Sequence, residues 1–365
     1  MQGLALDLPN VGGIHNVDFQ GLGITRLQVS NFCNPCSKHR IHNWINNFSW
    51  YKGNHNLKLG YNGNFAQNGD LAQNQSLFGW TSYSNRFSGF PYADFLLGVP
   101  TTMRRAFPAV ERDNRRTTHA FYVNDEWKVL PSLTLTMGLR WDVYRPWREA
   151  NGRMATFDIA SGQVVVPDDA LGKVSPLLPA SFVNVVGAST VGRARNLVQS
   201  DWNNLAPRLG LAWRPMGPNT VFRASYGIYY DTAPWQPSSA GAPFVLSEPD
   251  FTNPTANPLV LPTVFPTGGT GGPSSFNLPN GIRPDLRIPY SQSYTFTIEH
   301  QRWDTGFRVS YTGMGSRQGI YRANLNSPLV DDQLFVDKAR RFPRYPDILY
   351  ADNGAGHQYH AVTGQ

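Results

Sequence analysis

Residues 117–144, TTHAFYVNDEWKVLPSLTLTMGLRWDVY, hold the clearest structural pattern in the chain. In the second half of this stretch, apolar side chains occupy every second position. They are Leu133, Leu135, Met137, Leu139, Trp141 and Val143. A period of two is typical of a β-strand with two different faces. Pro131 lies in a short break before this run, and Phe121, Val123 and Trp127 share a face of an earlier run, so the stretch predicts a hairpin.

The predicted arms of this hairpin are long. Each has about eleven residues, which is roughly twice a usual globular strand and close to a tilted strand that crosses a bilayer. A soluble β-sandwich would show the same alternation in a single hairpin. The choice between the two folds therefore depends on whether the pattern repeats along the chain.

The pattern repeats in three more predicted hairpins. Their arms are Ile41–Tyr51 with Leu57–Phe65, Leu205–Arg214 with Val221–Tyr230, and Tyr290–Arg302 with Phe307–Met314. Weaker strands are predicted over Gly23–Phe32 and Ala93–Gly98, the second with a poorly patterned return over 102–110. The short turns are predicted near 52–56, 130–132, 215–219 and 303–305. The long loops are predicted over 66–91, 145–203, 231–289 and 315–355, with a small hairpin inside the second.

Short turns and long loops therefore alternate along the chain. Outer-membrane barrels have short turns on one side and long loops on the other, whereas long structureless loops are uncommon in compact soluble domains. Aromatic residues also lie at the predicted strand ends, as membrane interfaces favour. They are Trp50, Trp127, Trp213 and Trp303 beside the turns, and Tyr144 and Tyr230 at the loop ends. We predict an all-β fold, an antiparallel transmembrane β-barrel in contact with outer-membrane lipid.

Composition agrees with this class. The chain has 365 residues, 41% of them hydrophobic, and no apolar run reaches the length of a membrane-spanning helix. The formal net charge of +7 is dispersed, so no nucleic-acid partner is predicted. About ten or eleven strands are visible, the first and last without clean partners, which predicts part of a larger barrel because an open edge in lipid is costly.

The N-terminal region carries a weaker pattern. Residues 1–40 are predicted to be an irregular segment with one weak strand, and 41–365 to be the partial barrel. Met1 is not followed by a signal-peptide pattern, so the sequence is either a cytosolic protein or an internal piece of a longer one. We expect the second, because the predicted barrel is incomplete. Cys33 and Cys36 could form a redox motif, half of a zinc site with His39 and His42, or a local disulfide. The spacing is cramped for zinc, so the disulfide is favoured and no metal site is predicted.

Several segments resemble one known family. They are FSWYKGNHNLKLGYN, ADFLLG, AFYVNDEWKVLPSLTLTMGLRWDVYRPWREANGRMATFD, NNLAPRLGLAWRP, TVFRASYGIYYD and IPYSQSYTFTIEHQRWDTGFRVSYTGMGSR. In order and spacing they resemble TonB-dependent outer-membrane receptors of the Oar-like group, over residues 41–365. The resemblance implies a barrel of about 22 strands with a plugged lumen. It also implies energised uptake of an unknown extracellular solute through the inner-membrane TonB complex. We expect the plug, the TonB box and the terminal strand to lie outside these residues.

Motifs of catalysis and cofactor binding are not found. The sequence has no HExxH, no GxSxG, no Walker loop and no paired CxxC set, so neither an enzyme nor a cofactor is predicted. Residues Asp125 and Glu126 are neighbours in a strand, which places them on opposite faces.

Four arginines occupy polar positions of the predicted strands and are predicted to face the lumen: Arg140, Arg208, Arg223 and Arg308. They would line a solute path or contact the plug, although keeping charge out of lipid explains them equally well. The ligand-binding residues themselves are not predicted. Two alternatives remain open: a passive porin or adhesion barrel, and a secreted β-rich carbohydrate-binding protein.

Overall fold

The computed structural model describes residues 16–23, 26–27, 38–71, 79–104, 106–107, 110–175, 178, 183–231, 237–247, 251–261, 279–334, 337–343, 345 and 347–365. Cys33 and Cys36 lie outside the described residues, and so does most of the strand predicted over Gly23–Phe32. Leu27, which is described, forms an isolated bridge with Val17.

The described residues are mainly β-structure. The strands are β1 (Asn16–Phe19), β2 (Lys38–Lys52), β3 (His55–Leu71), β4 (Trp80–Tyr83), β5 (Thr102–Arg104), β6 (Ala106–Phe107), β7 (Glu111–Leu130), β8 (Leu133–Tyr144), β9 (Arg148–Glu149), β10 (Met154–Asp158), β11 (Gln163–Val166), β12 (Val185–Gly187), β13 (Asp201–Trp213), β14 (Thr220–Tyr230), β15 (Ser238–Ser239), β16 (Leu246–Ser247), β17 (Phe251–Thr252), β18 (Gly281–Ile282), β19 (Tyr290–Arg302), β20 (Thr305–Asn324) and β21 (Leu349–Gly364). The helices are α1 (Pro91–Leu96) and two 3₁₀ helices, Asp168–Lys173 and Ala188–Val191.

Nine of these strands form one continuous antiparallel wall. Its pairing order is β2, β3, β7, β8, β13, β14, β19, β20 and β21, and its strands have 11 to 20 residues. We call these nine strands the strand wall. Short connections at 53–54, 131–132, 214–219 and 303–304 lie at one end, and the long connections leave the other end. The wall does not close in the described part of the chain, where β2 pairs with β3 alone.

The turns between β2 and β3 and between β19 and β20 each contain a residue with a left-handed backbone. Gly53 has a φ of 58° between β2 and β3, and Trp303 has a φ of 53° between β19 and β20. Glycine adopts this region without steric cost, whereas tryptophan does so rarely. Within the wall, Gly60 leaves room for the ring of Tyr122 on the paired strand β7.

One predicted strand is a helix. The prediction over Ala93–Gly98 is wrong, because α1 covers the greater part of this segment. Pro91 occupies the helix start, where its missing N–H costs nothing. The buried carboxylate of Asp94 accepts hydrogen bonds from the backbone N–H groups of Phe87, at 3.1 Å, and Ser88, at 2.7 Å. A six-residue apolar run fits either a helix or a strand, and here Pro91 at the helix start and the hydrogen bonds from the preceding loop to Asp94 favour the helix.

Two predicted loop boundaries are also wrong. The loop predicted over 66–91 begins later, since β3 continues to Leu71, and β4 lies within its limits. The loop predicted over 315–355 is shorter, because β20 runs to Asn324 and β21 begins at Leu349. These strand extensions are rich in polar residues on both faces, so they lack the period-two signal that identifies a strand in the sequence.

Three long connections fold together at the loop end of the wall. The described residues within 145–200, 237–247, 279–289 and 325–348 contribute to one region that we call the cap. It contains the antiparallel hairpin of β10 and β11, which confirms the small hairpin predicted inside 145–203. β10 joins β18 and β18 joins β21, each in parallel pairing, so the cap continues the sheet of the wall. Its central core is Ala155, Phe157, Val164, Val166, Ala170, Val183, Phe244, Tyr345 and Ile348.

A separate four-stranded sheet has the order β1, β4, β5 and β17. Its core contains Val17, Phe19 and Tyr83, with Phe95 of α1 packed against them. β1 pairs in parallel with β4, so residues 16–19 belong structurally with residues 80–83. The irregular segment predicted over 1–40 therefore contributes a strand to this sheet.

Candidate functional site

The pairing register gives the strand wall two chemically different faces. Residues that pair across neighbouring strands point to the same side, so each face can be followed from β2 to β21. The apolar face carries Leu57, Leu59, Phe121, Val123, Trp127, Leu135, Met137, Leu139, Trp141, Leu209, Leu211, Trp213, Phe222, Tyr226, Phe296, Ile298, Val309 and Tyr311. The polar face carries Asn62, Asn64, Asn124, Glu126, Thr134, Thr136, Arg140, Asp142, Arg208, Arg223, Ser225, Thr295, Thr297, Glu299, Arg308, Ser310 and Thr312.

The apolar face is exposed over a large area. Leu209 and Val309 each keep 54% of their surface accessible, and Phe296 keeps 45%. Exposed apolar patches of this extent are uncommon on soluble monomers and mark a surface that contacts lipid or a partner. A soluble sandwich would bury this face against a second sheet, and the described residues place no such sheet on it.

All four predicted lumen-facing arginines lie on the polar face. Arg140 donates to Asp142, with 2.9 Å between Nε and Oδ1, and only 6% of the Asp142 side chain is exposed. The guanidinium of Arg208 lies 4.7 Å from the centroid of the Tyr229 ring, a cation–π distance. The lumen itself is not closed by the described strands, so the direction of these side chains toward a lumen stays a prediction.

The other two arginines share one carboxylate. Glu299 lies between Arg223 and Arg308, and both donate to it, at 3.2 Å from Arg223 Nε and 2.9 Å from Arg308 Nε. The three residues belong to β19, β14 and β20. The carboxylate leaves an excess of one positive charge, so this part of the polar face is polar and weakly cationic.

Four predicted interface tryptophans lie at the turn end of the wall. Trp50, Trp127 and Trp213 point to the apolar face, and Trp303 lies in the turn with 77% of its surface exposed. Basic side chains accompany two of them: Lys52 Nζ lies 5.4 Å from the Trp50 ring, and Arg302 lies 4.5 Å from the Trp303 ring. Tryptophan next to a cation is typical of a membrane interface.

The two predicted interface tyrosines differ. Tyr230 lies on the apolar face, where its ring contacts Tyr290 at 5.7 Å between centroids. Tyr144 shares the parity of Arg140 and Asp142, which places it on the polar face. The register therefore separates Tyr144 from the tryptophans at the opposite strand ends.

The carboxylate of Asp125 lies among apolar side chains on the apolar face. Asp125 pairs with Met137 and Leu57, and its carboxylate is 2.7 Å from Nδ1 of His55, which stacks on Trp127. Glu126, its neighbour in sequence, points to the polar face, which confirms that the two acids cannot act as a pair. A partner within hydrogen-bond distance lowers the cost of placing a carboxylate beside apolar side chains.

Within the cap, a buried ion pair joins three segments. Arg193 donates to Asp158 at 2.8 Å and to the carbonyl groups of Leu197 and Ile282 at 3.1 Å and 3.0 Å. Burial acts to raise the pKa of Asp158, but hydrogen bonds from Arg193 and Ser161 outweigh it and hold the pKa below its ordinary value. The ionised pair therefore fixes the first loop against the second.

Two further arginines form ion pairs on the cap surface. Arg195 donates to Asp169 at 2.7 Å, and this hydrogen bond lowers the pKa of Asp169. Arg283 donates to Asp285, at 2.7 Å, and to Asp352 of β21, at 3.2 Å, and the first of these bonds lowers the pKa of Asp285. Within the described residues, no three metal-ligating side chains form a cluster that could hold a metal ion.

The sequence did not reveal a group of basic residues where the wall meets the cap. Here a cleft of about 300 Å³ is lined by Phe65, Arg115, Arg116, Thr117, Arg145, Pro146, Arg148, Arg195, Asn196 and Ser200. These arginines are spread over about eighty residues of sequence, so their charge looked dispersed along the chain. Only the run RDNRR at 112–116 gave a local signal.

A family model for the outer membrane beta barrel domain matches residues 1–365. The chain belongs to this family. The outer membrane beta barrel domain is a component of the bacterial outer membrane. This location explains the exposed apolar face of the wall, because the outer side of such barrels contacts lipid. Among the described residues, no helix is long and apolar enough to span a bilayer.

Solved structures with a similar fold include three outer-membrane proteins. A ferric enterobactin receptor of Pseudomonas aeruginosa is 11% identical to this chain. The matched part covers 90% of this chain and 33% of the receptor chain, with a TM-score of 0.41. The FrpB iron transporter of Neisseria meningitidis is 14% identical, with 87% and 31% covered and a TM-score of 0.38. The outer membrane transporter YddB of Escherichia coli is 10% identical, with 96% and 34% covered and a TM-score of 0.44.

This chain spans about a third of the length of these three proteins. No curated protein matches the chain.

Proposed function

We propose that this outer membrane beta barrel domain is the barrel portion of a TonB-dependent receptor of the Oar-like group, which imports a bulky solute with energy from the inner membrane. In this proposal the polar face lines the solute path and the apolar face contacts lipid. An N-terminal plug fills the lumen and carries the box that the TonB complex pulls. The domain itself has no catalytic role.

The observation that carries the proposal is the shared core of the cap. Phe157 and Val164 of the first loop, Phe244 of the second and Tyr345 of the third pack into one cluster. Three connections that fold together form a rigid rim over one end of the wall, whereas independent flexible loops would not. A rigid rim is suited to capture of a large solute, because little conformational entropy is lost when the solute binds.

The polar face supports the same conclusion. Arg140, Arg223 and Arg308 are paired with carboxylates. The polar face can therefore form hydrogen bonds with a polar partner while its net charge stays small. Such a surface suits contact with a plug that must move, because exposed ion pairs contribute about 1 kcal/mol or less each.

The test compares a deletion of the full-length gene, a deletion of TonB and a protonophore treatment in the native bacterium. Mass spectrometry of a complex growth medium measures which solutes each culture depletes. We expect the solutes that remain in the medium of the gene-deleted culture to remain also in the medium of the TonB-deleted culture. The same solutes should remain in the protonophore-treated culture. The membrane abundance of the receptor in the TonB-deleted strain serves as the control.

Two outcomes would contradict the proposal. A solute that depends on this gene but not on TonB would identify a passive porin. Unchanged depletion of all solutes, together with reduced attachment of cells to a surface, would identify an adhesion barrel.

A further inference from the structure

A row of arginines crosses the loop end of the wall on its apolar side. Arg40 pairs with Gln67, Gln67 with Arg115, and Arg115 with Arg148, across β2, β3, β7 and β9. Paired residues point to the same side, and Arg115 has the parity of Phe121. The row therefore lies on the face that contacts lipid, not on the polar face.

The height of this row matches the edge of a membrane. At about 3.3 Å per residue and a tilt of about 40°, the strand from Trp127 to Arg115 rises about 30 Å along the membrane normal. The apolar band of such barrels is about 25 Å tall, and the hydrocarbon layer is about 30 Å thick. With Trp127 at one interface, Arg115 lies at the other, where lipid headgroups begin.

The residues between the two ends agree with this placement. Below the arginine row, the same face carries Phe65 beside Thr117, then His119, then Phe121 paired with Trp141. Acyl chains would cover these aromatic rings, and the next groups outward in a bilayer are the charged groups of the lipids.

The charge of the row is only partly balanced. On this face Lys38 lies 3.6 Å from Glu111, and Arg115 lies 2.6 Å from Asp113. Among the residues that the structure describes, Arg40 and Arg148 form no ion pair, and both are exposed. Arg115 and Arg148 are directly opposite each other, an unfavourable arrangement for like charges that a bound anion would relieve.

The cleft beside the row gives such an anion a defined place. Arg115 and Arg148 line the cleft of about 300 Å³ together with Arg145 and Arg195. Arg145 also forms no ion pair within the described ranges. Guanidinium groups bind the oxygens of an oxyanion in a bidentate geometry, so several arginines around one cleft suit an anion with several charged oxygens, such as a phosphate group.

We propose that Arg40, Arg115, Arg145 and Arg148 bind the phosphate groups of glycolipids in the outer leaflet of the outer membrane. The site faces lipid and lies at headgroup height, whereas an imported solute would meet the polar face. Binding there ties the base of the cap to the membrane surface. This inference depends on the barrel fold and not on the imported solute or its energy source.

The experiment uses the full-length protein in detergent and titrates it with purified lipopolysaccharide, followed by native mass spectrometry. The variant is Arg115→Gln with Arg148→Gln. The matched control is Lys52→Gln with Arg302→Gln, which removes two cations from the same face at the turn end. Heat-modifiable migration on a gel shows whether each variant folds, and Arg148→Gln alone replaces the double variant if that one does not fold.

We expect the double variant to bind lipopolysaccharide at least about tenfold more weakly, and Arg148→Gln several-fold, because charge-assisted hydrogen bonds to phosphate are lost. The control should stay within about twofold. Dephosphorylated lipopolysaccharide should bind the unmodified protein as weakly as the phosphorylated form binds the variant.

Three results would overturn the proposal. The first is equal binding of the dephosphorylated lipid. The second is an equal loss in the control variant. The third is binding of inorganic phosphate with the affinity of the lipid, which would show a site for a soluble anion.

Discussion

The strand wall and the cap differ in where their large apolar side chains lie. In the wall, Leu209 and Val309 each leave 54% of their surface exposed on the outer side of a single sheet. In the cap, Phe157, Val164 and Val166 are fully buried between three loops. The two regions are therefore adapted to different solvents. Lipid solvates apolar side chains on the outer surface of the wall, whereas water favours their burial in the core of the cap.

The largest difference should appear when an aromatic ring is removed from each region. Phe157 contacts Phe342 and Tyr345 at 5.3 Å and 5.6 Å between ring centroids. We expect Phe157→Ala to cost the cap about 3–5 kcal/mol, because a buried cavity remains. On the apolar face, Phe296→Ala should cost under about 1 kcal/mol in lipid. Urea-dependent proteolysis of the cap in vesicles measures the first, and reversible unfolding in vesicles measures the second.

A charge placed on each face of the wall tests the sorting directly. We expect Leu209→Lys to cost about 2–4 kcal/mol, since its side chain would enter the lipid layer. Ser225→Lys, on the polar face, should cost about 1 kcal/mol or less, mainly through the lost hydrogen bond to Thr295. Reversible folding into vesicles measures both. Equal costs would show that the two faces have the same surroundings.

Acid should lower the stability of the cap before it lowers that of the wall. The expected effect is smaller than the effects of Phe157→Ala and Leu209→Lys. The pKa of Asp158 is lower in the folded cap than in the unfolded chain, so its contribution to stability is present above about pH 4 and is lost as the pH falls through the lowered pKa. Proteolysis of the cap from pH 6 to pH 3 measures this loss. In Arg193→Gln the stability should be lower at pH 6 and less dependent on pH. An unchanged acid response in this variant would contradict the role of the pair.

The strand wall could be predicted from the sequence because its chemistry repeats every second residue. Leu133 to Trp141 alternate between lipid and a polar side, and no distant contact is needed to determine their direction. The prediction failed where that rule does not apply. The polar extension of β20 to Asn324 lies beyond the alternating segment, and α1 depends on the buried carboxylate of Asp94, which binds the backbone of the preceding loop.

The candidate site could be predicted only in part. Arg140 and Arg208 were assigned to the polar positions that the register gives them, because parity within one strand decides the face. The shared carboxylate of Glu299 was not predicted, since it depends on which strands are neighbours. The arginine row required the same knowledge across β2, β3, β7 and β9.

The sequence by itself determined the class of fold, the short turns and the two faces of each long strand, because these follow from residues close together in the chain. Only the tertiary structure decided that Phe157 of the first loop, Phe244 of the second and Tyr345 of the third share one core. It also decided that Arg40 and Arg148 lie in one row. The physical reason is that burial and charge depend on neighbours in space, and these neighbours are brought together by strand pairing between distant segments.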